Sequence, residues 1–252
     1  SAISVSNEIA KGSIIKMDRV NNLAYVNLGR ADNVRPGVTF AVLPAGSTGK
    51  AAASRERKGA IEVIEVLEDH LSTAKVLEAV NASRDPLLPG DLLFNPAWNP
   101  NQRTHVALAG IIDINGDGID DTPDLIRMLE RQGVVVDAFL DLKDRTVKGP
   151  GITERTEYLI YGEKPLISAV ATLEANPVTQ AALDVMGKME EMKKKATDLG
   201  AQPVQFRRFL LLMGYKLPKG VDTSDISASS YLRGTQTKGK DDSTTPKDDK
   251  PK

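Results

Sequence analysis

At residues 95–103, Asn95-Pro-Ala-Trp-Asn-Pro-Asn-Gln-Arg103, the hydrophobic pattern of this chain changes period. Upstream, apolar and polar residues alternate in short runs, as they do in half-buried strands. Downstream, apolar strand-like runs alternate with longer helical stretches. The two patterns demand different folds, and the two X-Pro steps between them keep the connecting backbone extended. We therefore expect a multidomain chain: a small all-β barrel over residues 10–97, an α/β domain over residues 104–216, and a disordered tail over residues 217–252. The tail is rich in Ser, Thr, Asp, Lys and Gly, with both charge signs and no apolar pattern.

In the first unit, residues 13–17, 23–28, 38–43, 60–66, 71–77 and 92–94 read as strands. Residues 45–57 are small and polar and read as a mobile hairpin excursion. Five or six short strands joined by Gly-rich turns suggest a small barrel. The pattern Lys11-Gly12, Tyr25-Val-Asn-Leu-Gly29, Val34-Arg-Pro-Gly37 before Phe40, Lys58-Gly59-Ala60-Ile61 and Pro89-Gly90-Asp91 resembles the small β-barrel domain at the C-terminal end of flagellar assembly protein T, also found in many envelope proteins. No carboxylate pair, nucleophile or ligand cluster stands out in this half, so its default role is a spacer or binding module.

The second unit reads as a strand at 106–112, a helix at 122–132 ended by Gly133, and a strand at 134–141. A polar loop at 143–155 and a strand at 156–161 follow. The unit closes with a long helix from 176 to 199, a short strand at 202–204 and a helix at 206–213. Leu108-Ala109-Gly110, Arg131-Gln-Gly133-Val-Val135, Thr156-Glu-Tyr-Leu-Ile160, Lys195-Ala-Thr-Asp-Leu-Gly200 and Phe209 resemble a BRCT domain. That likeness implies a central parallel sheet and a binding module. Some BRCT domains hold phosphopeptides through a Ser or Thr beside the Gly after strand one and a Lys in helix two. Here those positions fall on Ala109 and near Met192, with Lys193, Lys194 and Lys195 adjacent. Alanine has no hydroxyl to donate, so no preference for phosphorylated partners is expected. The lysines read as a solvated face paired with Glu190 and Glu191.

Between the first strand and helix of that unit lies Asp113-Ile-Asn115-Gly-Asp117-Gly118-Ile119-Asp120-Asp121-Thr-Pro-Asp124. Oxygen side chains recur at loop positions one, three, five, nine and twelve, and Gly118 stands at position six, where a sharp turn needs positive φ. The loop resembles that of an EF-hand, with Asp124 in place of the final Glu as in dockerin modules. The resemblance implies one structural Ca²⁺ held by Asp113, Asn115, Asp117, the Ile119 carbonyl, Asp121 and Asp124. Ligands this few, with no second loop, place its affinity near the extracellular range of about 10⁻⁴ to 10⁻³ M. The same residue types also serve an ion-free strand-to-helix turn, with Thr122 or Asp121 as cap and Pro123 in the first turn. Both readings stand on the sequence.

Composition removes several classes of chemistry. The chain has 252 residues and no Cys, so disulfides, thiolate metal sites and Cys nucleophiles are excluded. Its two His, His70 and His105, are too few for a zinc cluster and read as surface or packing residues. A formal net charge of −1 gives no electrostatic case for nucleic acid. No apolar run approaches the roughly 18 residues of a membrane helix. The chain begins Ser1-Ala2-Ile3, as a fragment or processed form would. Trp98, the only Trp, either packs at the seam between the two units or sits in a partner's pocket, and packing is expected because an isolated aromatic usually buries its large area. No Gly-rich phosphate loop or nucleophile–base pair accompanies the acidic residues. The sequence thus points to a non-catalytic interaction or scaffold protein with protein partners, in the bacterial cell envelope by the barrel's likeness or the cytoplasm by the BRCT likeness. The alternatives are a phosphopeptide or DNA-end binder, and a metal-dependent phosphoryl-transfer enzyme built on Asp113–Asp124 with Asp137 and Asp141.

Overall fold

The computed structural model describes residues 12–47, 57–166 and 177–216. Most of the 45–57 excursion and the 217–252 tail lie outside the described residues.

Six strands close into an antiparallel barrel: β1 (Gly12–Asp18), β2 (Leu23–Val26), β3 (Thr39–Leu43), β4 (Gly59–Glu68), β5 (Leu71–Ala79) and β6 (Leu92–Phe94), in the order β1-β2-β5-β4-β3-β6. Alternation selects which residues point inward. Ile14, Val26, Phe40, Val42, Ile61, Val63, Val76 and Leu93 fill the interior together with Trp98. The Trp98 and Phe40 rings meet edge to face, 5.3 Å between centroids. Trp98 is 5 % exposed, so the linker's one large aromatic plugs the barrel, which meets the expectation of packing.

Past the linker come β7 (His105–Ala109), α1 (Thr122–Arg131), β8 (Val135–Asp141), β9 (Thr146–Lys148), β10 (Tyr158–Tyr161), α2 (Pro177–Asp198), β11 (Gln202–Gln205) and α3 (Phe206–Leu212). The sheet order is β11-β10-β7-β8-β9. Its first four strands are parallel and β9 runs antiparallel to β8. The sheet is therefore mixed: the expected parallel strands form its body, and β9 adds an antiparallel edge that was not expected. The difference lies in residues 143–155, read as a polar loop. Asp141 receives the backbone N–H of Lys143 and Asp144 and so turns the chain back, and a short hairpin strand results.

Both faces of the sheet are covered. Val106, Leu108, Tyr158 and Ile160 pack under α1 and α3 through Leu125, Leu129, Phe206, Phe209 and Leu210. The alternate residues Ala107, Ala109, Leu159, Ala138 and Leu140 pack under α2 through Val185, Met189, Met192 and Ala196. Apolar residues on both faces explain why β7 reads as an unbroken apolar run. The edges are β9, only three residues long, and β11, which carries Pro203.

The two folds are joined by a polar seam. Thr39 Oγ1 donates to the Met213 carbonyl at 2.5 Å, and Gln132 Nε2 to the Gly37 carbonyl at 2.9 Å. Asn95, at the head of the linker, donates to the Thr39 carbonyl at 2.7 Å. Leu43 and Phe94 of the barrel pack on Leu212 of α3.

Candidate functional site

The acidic loop leaves the carboxyl end of β7, the middle strand. In an open α/β sheet, ligands gather at the carboxyl ends where successive crossovers run to opposite sides. Here that point lies between β7, which leads through α1 to β8, and β10, which leads through α2 to β11.

The crevice is closed by the chain itself. Beyond the two strands, Ile111 N–H donates to the Glu163 carbonyl at 3.0 Å and Glu163 N–H returns to Ile111 at 2.8 Å. Gly162 is what permits this approach, since a Cβ there would lie 1.9 Å from the Ile111 carbonyl oxygen. Arg207, on α3, spans the junction: one guanidinium nitrogen donates to Glu163 Oε1 and the other to the Asp113 carbonyl, both at 2.9 Å.

The loop's oxygens face its own backbone. Asp113 is fully buried and accepts N–H bonds from Gly116 at 2.6 Å and Gly118 at 3.0 Å. Asn115 Oδ1 accepts from Asp117 N–H, Asp117 Oδ1 from Ile119 N–H, and Asp121 Oδ2 from Ile114 N–H, each at 2.8 Å. Gly118 takes φ +80°, as position six requires. Burial pushes the Asp121 carboxyl above its ordinary value; the charges of Asp117 and Asp113 push the same way, against hydrogen bonds from Ile114 and Asn115.

Of the six residues expected to hold Ca²⁺, Asp113, Asn115, Asp117 and Asp121 share this turn. Ile119 is at its exposed tip. Asp124 stands on the exposed side of α1 and pairs with Arg127. Among the described residues no group of three or more His, Cys, Asp or Glu side chains is placed to hold a metal ion. Asp121 is the residue before α1, yet its side chain makes no capping bond there.

Sequence spacing did not single out Asp120. Burial pushes its carboxyl up, against hydrogen bonds from the Thr122 hydroxyl and Ile112 N–H, at 2.8 and 3.1 Å. Position eight of a cation loop carries no ligand, so no spacing rule pointed to it. Arg207 was likewise invisible, since its two partners are 44 and 94 residues away in the chain.

The other candidates are committed to protein partners. His105 Nδ1 lies 2.8 Å from Asp137 Oδ1, whose second oxygen accepts from the Thr156 hydroxyl at 2.7 Å. Asp141 pairs with Lys148 at 2.6 Å. His70 is exposed beside Asp32 at 2.9 Å. Ala109 and Met192 are buried in one apolar cluster. Glu190 pairs with Lys164 and Glu191 with Lys188. Lys193 instead stands over the Tyr161 ring at 5.9 Å. The expected pairing of Glu190 and Glu191 with lysines 193–195 is thus corrected; Lys193 and Lys195 act on them only at longer range. The helical register sends the near contacts to Lys188, one turn back, and to Lys164 on the neighbouring loop.

No helix among the described residues is long and apolar enough to cross a membrane. Compared with known proteins, the chain matches no family model and no curated relative.

Proposed function

We propose that this chain is a non-catalytic interaction module of the bacterial cell envelope, in which a small barrel and a BRCT-like α/β half form one platform for protein partners. The observation that carries the reading is the closure of the crevice between β7 and β10 by the Ile111–Glu163 bridge and Arg207. An enzyme on an open α/β sheet would need that crevice for substrate. What supports the BRCT-like part is the element order, which follows the resemblance except for the added β9. The barrel's likeness to envelope domains supports the compartment.

Within this proposal the acidic loop binds one Ca²⁺ as a brace, not as a reactive centre. The crowding of Asp113, Asp117 and Asp121 supports it, since a divalent cation turns that mutual repulsion into attraction. Binding would draw Asp124 away from Arg127 and toward the turn.

The test is a screen for phosphatase and nuclease activity with Mg²⁺ or Ca²⁺, run beside a pull-down on matched phosphorylated and unphosphorylated peptides. No turnover and no preference for phosphate are expected. Turnover lost in Asp113→Asn would replace this reading with metal-dependent phosphoryl transfer. A gain on phosphorylation, abolished by changing lysines 193–195, would replace it with a phosphopeptide binder.

A further inference from the structure

A cleft of about 290 Å³ opens where the barrel, the linker and the C-terminal end of α1 meet. Three arginines from three separate elements line it: Arg35 from the loop before β3, Arg103 from the end of the linker and Arg131 from the last turn of α1. Each is exposed, and none of their side chains has a hydrogen bond or ion pair among the described residues. Among the described residues, Glu130 is the one acidic residue in the lining. The cleft therefore gathers unpaired positive charge on a chain whose formal net charge is −1. The linker adds amide side chains, among them Asn101 and Gln102.

The way the charge is distributed selects the ligand. Guanidinium groups pair with carboxylates through two parallel hydrogen bonds. A compact dianion such as phosphate would sit against the C-terminal end of α1, the negative end of its dipole, and against Glu130. Separate carboxylates on an extended backbone can meet the arginines one at a time, while the linker amides bond to the peptide groups between them.

We propose that this cleft binds an acidic peptide segment of a partner protein. The proposal rests on the reading of the chain as an interaction module and names the chemistry of its partner.

Trp98 lines the cleft and is the only Trp in the chain, so its fluorescence reports on the site. The full chain is titrated at low ionic strength with hexaglutamate, with hexaglutamine, with inorganic phosphate and with a short single-stranded oligonucleotide. A saturable fluorescence change is expected with hexaglutamate and not with hexaglutamine. Combining Arg35→Gln, Arg103→Gln and Arg131→Gln should weaken it by about tenfold, as three exposed pairs would. Arg84→Gln, outside the cleft, should leave it unchanged. Each single cleft variant is measured too, so misfolding of the triple variant still leaves a graded series. No saturable change, equal binding by the variants, or tighter binding of phosphate or oligonucleotide would overturn the proposal. Such a failure would leave the interaction-module reading to its own test. Catalytic turnover, conversely, would overturn that reading without touching hexaglutamate binding.

Discussion

The Thr39 hydroxyl and the Met213 carbonyl meet at 2.5 Å across the seam, both residues buried. One lies in barrel strand β3 and the other just past α3. Thr39→Val keeps the shape and removes the donor, which leaves a buried carbonyl unpaired. The expected cost is about 1–3 kcal/mol, read from the urea midpoint. Because the seam is buried, Trp98 fluorescence and far-ultraviolet circular dichroism should give coincident transitions in the wild type. Two separated transitions would mean that the halves unfold independently.

Two glycines offer a matched comparison. Gly214 and Gly133 have φ +90° and +85°. A Cβ on Gly214 would lie 2.6 Å from the Phe40 backbone, whereas one on Gly133 would meet nothing within 4 Å. Gly133→Ala should cost only the left-handed penalty, about 1–2 kcal/mol. Gly214→Ala should cost clearly more, because backbone must move apart at the seam. Equal losses of stability would show that the seam yields freely.

Lys58 is a buried cation of the barrel. Its ammonium is 2.7 Å from Asp91 and 3.2 Å from Asp85. Burial works against its charge, but the two carboxylates outweigh burial and hold its pKa above the ordinary value. The stability it gives is thus fully present below the unfolded value near 10.5 and is lost as pH rises through the raised folded value. Lys58→Met strands Asp91, which is equally buried, and should cost about 3–5 kcal/mol. The double change Lys58→Met with Asp91→Leu should recover part of that loss. A double variant no more stable than the single one would refute the pairing.

Asp120 has the opposite sign to an ordinary paired carboxylate. Its folded pKa is raised by burial, so ionisation works against the fold. The stability of the protonated form is lost as pH rises through that raised value, and a penalty persists at pH 7. Asp120→Asn can keep the acceptor for Ile112 N–H and the Thr122 hydroxyl while removing the charge. At pH 7 the melting temperature should rise by about 2 °C. That advantage should shrink as pH falls toward the raised carboxyl range. A gain that is constant with pH would mean that charge is not its source.

The calcium proposal is checked by thermal unfolding in millimolar Ca²⁺ against chelator. Stabilisation of about 1.4 kcal/mol is expected at a free concentration tenfold above the dissociation constant, rising to about 2.7 kcal/mol at a hundredfold excess. Mg²⁺ should do less, because it demands a tight octahedron. Asp117→Ala should abolish the shift. No shift in the wild type would leave the loop an ion-free turn held by its own N–H bonds.

Barrel strands were legible where every second residue fills the interior, as Phe40 and Val42 or Ile61 and Val63 do. The order of helices and parallel strands was legible for a similar reason, since β7 must present Val106 and Leu108 to one layer and Ala107 and Ala109 to the other. β9 was hidden because Thr146-Val-Lys148 is too short to show a period and its turn is set by Asp141. Within the site, the turn at Gly118 could be read from spacing. The bridge from Ile111 to Glu163 could not, because it depends on two strands lying side by side. The cleft was hidden for the same reason: Arg35, Arg103 and Arg131 come together only when the barrel docks on α1.

The edges of the sheet limit how copies of this chain can meet. In β11, Gln202 turns its N–H inward to Glu157. The next residue, Pro203, falls where an N–H would point outward, and it has none to offer. At the other edge β9 spans three residues, too few to template a long pairing, and the barrel strands close on themselves. Among the described residues, neither fold therefore presents a long open ladder to a neighbour. Crowding many copies together should not drive strand-by-strand polymerisation into fibres, and replacing Pro203 with valine would remove one of the two safeguards.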